Sequence, residues 1–159
     1  MKKQRYFVWL FLGAYIFLLL DFTLLDSAFG RNLFNVQNWS ADSFANYFEN
    51  SVNLSPFATI RLYITGLRSG NIAAGYFFVN IIGNIIMLMP LAFFIPFLFK
   101  KYNSFFKFLI FILIFSLLIE ILQLVFLTGA CDIDDIILNV FGAVASYPLF
   151  KKLKSCDEE

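Results

Sequence analysis

The chain has 159 residues, 60% of them hydrophobic and 14% charged, with a formal net charge of +1 and a mean hydropathy of +0.78. Soluble domains are about half apolar, so this composition excludes one and specifies a polytopic membrane protein, too short for more than one membrane domain. Nucleic-acid binding has no basic face or reading motif to support it, and the absence of histidine removes the commonest general base and a frequent transition-metal ligand.

The chain opens on a short basic head, Lys2, Lys3 and Arg5. The apolar run that starts at Tyr6 continues to about Leu25 and reads as a first span. A basic head before an apolar run also describes a signal peptide, with a small-residue site near Ser27-Ala28-Phe29; a retained span is the reading taken here. Asp21 falls near the outer end of that span, either as an interfacial residue or facing inward.

Residues 26–75 form a long polar-aromatic loop. Ser40 or Asp42 is placed to cap a short helix whose Phe44, Tyr47 and Phe48 recur at helical spacing, so that it can lie flat on a membrane surface. Pro56 holds Ser55 extended, and a second short helix is predicted over Phe57–Leu67, stopped by Ser69-Gly70. The segment from Asn53 to Arg61 is expected to fold back as a lid.

The second span covers 76–99 and carries Asn80, Gly83 and Asn84 early, then Pro90 and Pro96, where a bend is expected. A short loop with Lys100, Lys101 and Lys107 leads to the third span, 105–127. Thr128–Cys131 is a tight turn. The fourth span, 133–150, has Gly142, Ala143, Ala145 and Ser146 as small packing residues. Lys151, Lys152 and Lys154 close it, before a tail from Ser155 to Glu159 that reads as disordered.

The fold class is therefore all-α: an integral membrane four-helix bundle, one domain over 1–159, with short interfacial helices in its long loop. Orientation follows from the cationic residues. Nine of the 12 Lys and Arg fall at the two ends of the chain and in the loop after the second span; Arg31, Arg61 and Arg68 alone fall on the other side. Both termini are predicted cytoplasmic and the 26–75 loop extracytoplasmic. Cys131 and Cys156 then lie on opposite sides, which predicts two free thiols.

The functional reading centres on Glu120 to Gly142, EILQLVFLTGACDIDDIILNVFG. Glu120 and Gln123 share one helix face, as do Asp135 and Asn139 on the next helix and Asn80 and Asn84 on the second span. Counting inward from the outer ends at 1.5 Å per residue, Glu120, Asn84 and Asn139 all lie about 10 Å deep. Gln123 and Asn80 sit one turn above, and Asp135 sits near the rim. Polar groups from three helices at one depth imply one pocket, open outward beneath the loop. The plainer alternative is a structural network bonding helix to helix. Asp132, Asp134 and Asp135 are either oxygen ligands for Mg²⁺ or Ca²⁺ or acidic residues favouring a helix N-terminus.

These pieces resemble the VanZ-like family of bacterial membrane proteins. The matching stretches are Asn53-Leu54-Ser55-Pro56-Phe57, Asn80-Ile81-Ile82-Gly83-Asn84 leading to Met89-Pro90-Leu91, Glu120-Ile121-Leu122-Gln123, and Asp132-Ile133-Asp134-Asp135 running on to Asn139 and Phe141-Gly142-Ala143. They stand in the family's order over about Asn53 to Tyr147. Gly129 and Ala130 occupy a turn where many relatives carry a basic residue. The family takes its name from a member linked to low-level teicoplanin resistance. The resemblance therefore implies a multi-pass protein of the bacterial cell membrane with a role in the envelope.

The first functional expectation is a non-enzymatic protein that binds a membrane lipid or a lipid-linked cell-wall precursor, lowering glycopeptide susceptibility. Asn80, Asn84, Glu120, Gln123, Asp135 and Asn139 would hold its polar head, and Arg61 its phosphate. No residue is assigned as catalytic and no cofactor is required. The alternatives are a metal-assisted enzyme acting on such a precursor, with Glu120 as general base and Mg²⁺ or Ca²⁺ on Asp132, Asp134 and Asp135, or a small transporter working as a homo-oligomer. The absence of histidine, of an activated nucleophile and of a phosphatase-type basic motif weighs against the enzyme.

Overall fold

A computed structural model of the chain describes residues 2–25 and 40–156. The small-residue site near Ser27 weighed as an alternative to a retained span, Arg31 and the last three tail residues lie outside the described residues. The helices are α1 (Lys2–Leu20), α2 (Ala41–Ser51), α3 (Ala58–Arg68), α4 (Ala74–Met87), α5 (Leu91–Leu98), α6 (Phe105–Val125) and α7 (Ile133–Cys156). A π-helical turn, Asp21–Leu25, extends α1, and a 3₁₀ turn, Lys100–Asn103, precedes α6. The all-α expectation holds, and among the described residues four segments are long and apolar enough to cross a membrane: Lys3–Leu24, Ala74–Leu98, Phe105–Val125 and Ile133–Leu153. At 1.5 Å per residue, α6 with its 21 residues is about 31 Å long, the thickness of a hydrocarbon core.

The chain packs as two compact units, Met1–Leu54 with Leu117–Ile133, and Ser55–Ser116 with Asp134–Glu159. In the first, Leu12, Leu19, Ile119 and Leu124 are buried together with Thr23, Glu120, Gln123, Thr128 and Asp132. Two short strands add a feature that the helical pattern did not announce. β1 (Val52–Asn53) pairs in parallel with β2 (Cys131–Asp132), Val52 opposite Cys131 and Asn53 opposite Asp132. Residues between helices have no intrahelical partners for their amides, and pairing two extended stretches supplies them.

The C-terminus of α6 explains how the turn into β2 is made. Leu127 has φ 56°, the left-handed region normally left to glycine. The Thr128 N–H donates to the Gln123 carbonyl at 2.9 Å and the Leu127 N–H to the Leu124 carbonyl at 3.2 Å. This double bond pattern is a Schellman cap built on leucine, and it ends the helix two residues before the predicted end of the span.

In the second unit, α4 and α7 run parallel: Asn84 meets Asp135, Ile85 meets Gly142, and further along Phe93 of α5 meets Phe150. The approach at Gly142 is close enough that a Cβ there would lie 1.7 Å from the Ile85 carbonyl oxygen, which is the small-residue packing expected of this stretch. Of its neighbours, Ala143 and Ser146 are buried and Ala145 is exposed. Pro90 separates α4 from α5. It has no N–H to give, and the chain crosses the break on short bonds, Met89 N–H to Ile86, Leu91 N–H to Leu88 and Ala92 N–H to Met89. Tyr147 stacks on Phe108, ring centroids 4.8 Å apart, and its hydroxyl donates to the carbonyls of Tyr102 and Asn103. The helix continues past the predicted span end through Lys151 and Lys152 to Cys156, so Ser155 and Cys156, read from sequence as tail, are helical in the backbone.

Candidate functional site

The first unit is built around the last turns of α6. Glu120 is fully buried, and its Oε2 accepts the backbone N–H of Asp132 at 3.1 Å. The carboxylate thereby ties the helix to the strand that follows it. Asp132 is buried in turn, and its Oδ2 accepts from the Asn53 side-chain amide at 3.3 Å, so the β1–β2 pairing is held by side chains as well as backbone. Tyr47 of α2 donates its hydroxyl to the Gly129 carbonyl at 3.0 Å.

One turn beyond Glu120, the Gln123 amide donates to the Thr23 carbonyl at 3.2 Å, in a buried bond. Thr23 lies in the terminal π turn of α1, where the last carbonyls have no intrahelical donor. A glutamine reaching across from another helix removes that deficit inside the apolar layer. The Thr23 hydroxyl donates back to the Leu19 carbonyl at 2.7 Å. Asp21, weighed at the sequence level as inward or interfacial, is exposed. Cys131 is a half-buried free thiol. Burial pushes its pKa above the ordinary value, and the carboxylates of Glu120 and Asp132 push it the same way.

The second unit holds Asp134, Asp135, Asn84 and Asn139. Asp134 is fully buried and its two oxygens divide between two backbone donors: Oδ1 accepts from Phe57 N–H at 2.5 Å and Oδ2 from Ile60 N–H at 3.0 Å. Phe57 is the N-cap of α3, has φ 63° and offers no side-chain cap. A capping box satisfies the N-cap and N3 amides with two local side chains; here one carboxylate from α7 satisfies both. Asp135, the next residue, accepts from the Asn84 amide of α4.

Asn139 lies on the same face of α7 as Asp135, one turn further in. It is fully buried, and neither its Oδ1 nor its Nδ2 has a hydrogen-bond partner. Ser116 is a second fully buried residue whose hydroxyl has none. The remaining predicted ligands are placed differently. Asn80 donates to the Tyr76 carbonyl of its own helix at 2.8 Å, and Arg61 is exposed on α3. Among the described residues no group of three or more Asp, Glu, Cys or His side chains is placed to hold a metal ion. Asp132 accepts from Asn53 in the first unit, and in the second Asp134 accepts from Phe57 and Ile60 and Asp135 from Asn84. The helix-capping reading describes Asp134, with the difference that it caps α3 and not its own helix.

Sequence reasoning did not single out Thr23, Tyr47 or the amides of Phe57 and Ile60 as partners of this machinery. Only Phe57 carried a signal, because phenylalanine is a poor N-cap and a helix starting there needs a cap from elsewhere.

Against known proteins, the model of the VanZ/LLP1 family matches residues 12–154, a range that includes all the motif stretches above. Protein VanZ of Enterococcus faecium is 33% identical over 118 residues, which is 74% of this chain and 63% of that protein. The chain thus spans 63% of the length of this relative. No solved structure matches it.

Proposed function

This chain belongs to the VanZ/LLP1 family, and from that premise we propose that it is a multi-pass protein of the bacterial cell membrane that binds the polar head of a lipid-linked or membrane-embedded ligand and so contributes to teicoplanin-type glycopeptide resistance. The observation that supports a ligand role is Asn139. A buried amide has up to four hydrogen bonds to make, and leaving even one such group unmade costs about 1–3 kcal/mol. In hydrocarbon a polar side chain of this kind persists when it faces a cavity, a partner or a ligand. Asn139 is at once an acceptor and a donor with both functions unfilled, one turn from the Asn84–Asp135 pair. That combination suits a ligand head carrying hydroxyl or amide groups. Glu120 and Gln123, with named partners in the first unit, support the reading less directly.

The test is teicoplanin susceptibility of a deletion strain complemented with wild type or Asn139→Leu, with membrane abundance measured alongside. Leucine keeps the approximate shape and removes both hydrogen-bonding functions. The expected result is loss of resistance at normal abundance. Wild-type resistance at normal abundance sinks the ligand role of this residue. Loss of the protein itself reassigns Asn139 to helix packing.

A further inference from the structure

A hydroxyl inside a helix can be satisfied locally, by the carbonyl four residues back. Thr23 donates in this way to Leu19 at 2.7 Å, Thr65 to Arg61 at 2.9 Å and Ser146 to Gly142 at 2.9 Å. Ser116 does not: it is fully buried in α6, and its Oγ has no hydrogen-bond partner. A side chain that forgoes the local bond in an apolar layer leaves a donor and an acceptor unmet, and hydrocarbon offers no water to answer them.

Ser116 and Asn139 belong to the same compact unit. Phe108, Ile112 and Ser116 recur every four residues on α6, and Asn139, Ala143 and Tyr147 do so on α7; all six are buried. Tyr147 stacks on Phe108 with ring centroids 4.8 Å apart. The short connection 126–132 turns the chain back, so α6 and α7 are antiparallel. Two four-residue steps from that stack, about 12 Å along each helix, lead to Ser116 on one and to Asn139 on the other. Both therefore stand at one level of the pair, on the buried faces. Asn139 lies about 9 Å from the Ile133 end of its span, and Ser116 about 14 Å from the Val125 end of its own.

We propose that Ser116 and Asn139 together take the uncharged hydroxyl of a membrane lipid, an alcohol with no phosphate. This rests on the ligand role proposed for Asn139 and names the chemistry of that ligand. A hydroxyl offers one donor and two acceptor lone pairs. The unmet atoms call for the complement: Asn139 Oδ1 accepts, and Asn139 Nδ2 and the Ser116 hydroxyl donate. An ionised phosphate has acceptors only and leaves Oδ1 unanswered. It also brings charge into hydrocarbon, where a charge needs a partner that neither side chain supplies. A water-soluble alcohol must first leave water, whereas a lipid alcohol is already dissolved in the layer where the two residues lie.

The experiment is native mass spectrometry of the full chain released from detergent micelles. It is titrated with dioleoylglycerol, with the acetyl ester of that lipid, which cannot donate, and with dioleoylphosphatidic acid. Dioleoylglycerol should bind about fivefold or more tighter than either of the others, the factor that goes with one hydrogen bond. Ser116→Ala should weaken its binding by about the same factor, and Asn139→Leu should abolish it. Phosphatidic acid or the acetyl ester bound as tightly as dioleoylglycerol overturns the proposal. So does wild-type binding by Ser116→Ala, which places the lipid on the outer apolar surface. Should Asn139→Leu fail to accumulate, Ser116→Ala and the comparison of the three lipids on the wild type still decide. Dioleoylglycerol left unbound, with teicoplanin resistance lost in Asn139→Leu, overturns the hydroxyl assignment and leaves the ligand role of Asn139 standing. Selective binding with resistance retained in Asn139→Leu upholds the lipid site and removes its part in resistance.

Discussion

Asp134 gives the sharpest test of how the acidic run works, because one buried carboxylate holds two backbone amides of a helix distant in sequence. Asp134→Ala leaves the Phe57 and Ile60 N–H groups without their acceptor, and the Phe57 position is already left-handed at φ 63°. Hydrogen bonds to a charged group contribute about 1.5–3 kcal/mol each, and a left-handed residue other than glycine costs about 1–2 kcal/mol. With both amides freed, about 3–5 kcal/mol of what holds α3 in place is lost, allowing for incomplete additivity. Asp134→Asn keeps one acceptor oxygen and turns an NH₂ toward the other amide, so about half of that loss is expected. An effect of this size need not unfold the spans. It should appear as local opening of α3, which begins and ends outside them. The assay is amide hydrogen exchange on the purified protein in micelles, read over peptides covering 57–68 and, as reference, 105–125. Asp134→Ala should speed exchange in α3 by two orders of magnitude or more, by the factor of ten per 1.4 kcal/mol, with Asp134→Asn between it and wild type and the α6 reference unchanged. Equal protection of α3 in all three proteins refutes the remote-cap argument. Equal loss in the Asn and Ala variants refutes the division of the two oxygens between two donors.

Other expectations follow from single contacts. Glu120→Gln should keep the acceptor for Asp132 N–H and leave thermal stability within about 1 kcal/mol, whereas Glu120→Leu strands that buried amide and should cost about 1–3 kcal/mol; equal melting of the two variants would remove the clamp role. Gly142→Leu should lower membrane abundance sharply, because even a Cβ at this position overlaps the Ile85 carbonyl, and wild-type levels in an immunoblot would contradict the close α4–α7 approach. Cys131 should react slowly with a membrane-impermeant maleimide added to intact cells and faster as pH rises, since burial and two carboxylates disfavour its thiolate. Glu120→Gln should lower that pKa and speed labelling at a given pH. Labelling of Cys156 without permeabilisation would reverse the expected orientation of the C-terminus.

Much of the fold was legible because it rests on local patterns. Hydropathy marked the four long apolar segments, Pro90 marked the break between α4 and α5, and Ser69-Gly70 marked the end of α3, where Gly70 has φ 75°. What stayed hidden is non-local. Nothing in Val52-Asn53 or Cys131-Asp132 announces a parallel pair, because two residues are too few to show a period. Leu127 in a left-handed position has no mark of its own; the Schellman cap becomes visible only through the carbonyls it satisfies. Helical spacing correctly put Asp135 and Asn139 on one face of α7. It also put Asn80 and Asn84 on one face of α4, but spacing does not tell which amide turns back on its own helix, as Asn80 does.

The acidic run shows how residue type alone leaves a role open in an apolar setting. A carboxylate buried there has to be answered by donors, and the nearest donors are the backbone amides that helix ends and short strands leave over. Glu120 answers the amide of Asp132, and Asp134 answers those of Phe57 and Ile60. Each of these carboxylates has a structural bond that accounts for its burial. The neutral Asn139 has none. These carboxylates join elements where helices end, and one turn deeper on α7 the buried Asn139 amide has no protein partner for either of its polar atoms. A search for what this protein binds is therefore well aimed at a neutral hydrogen-bonding head at Asn139.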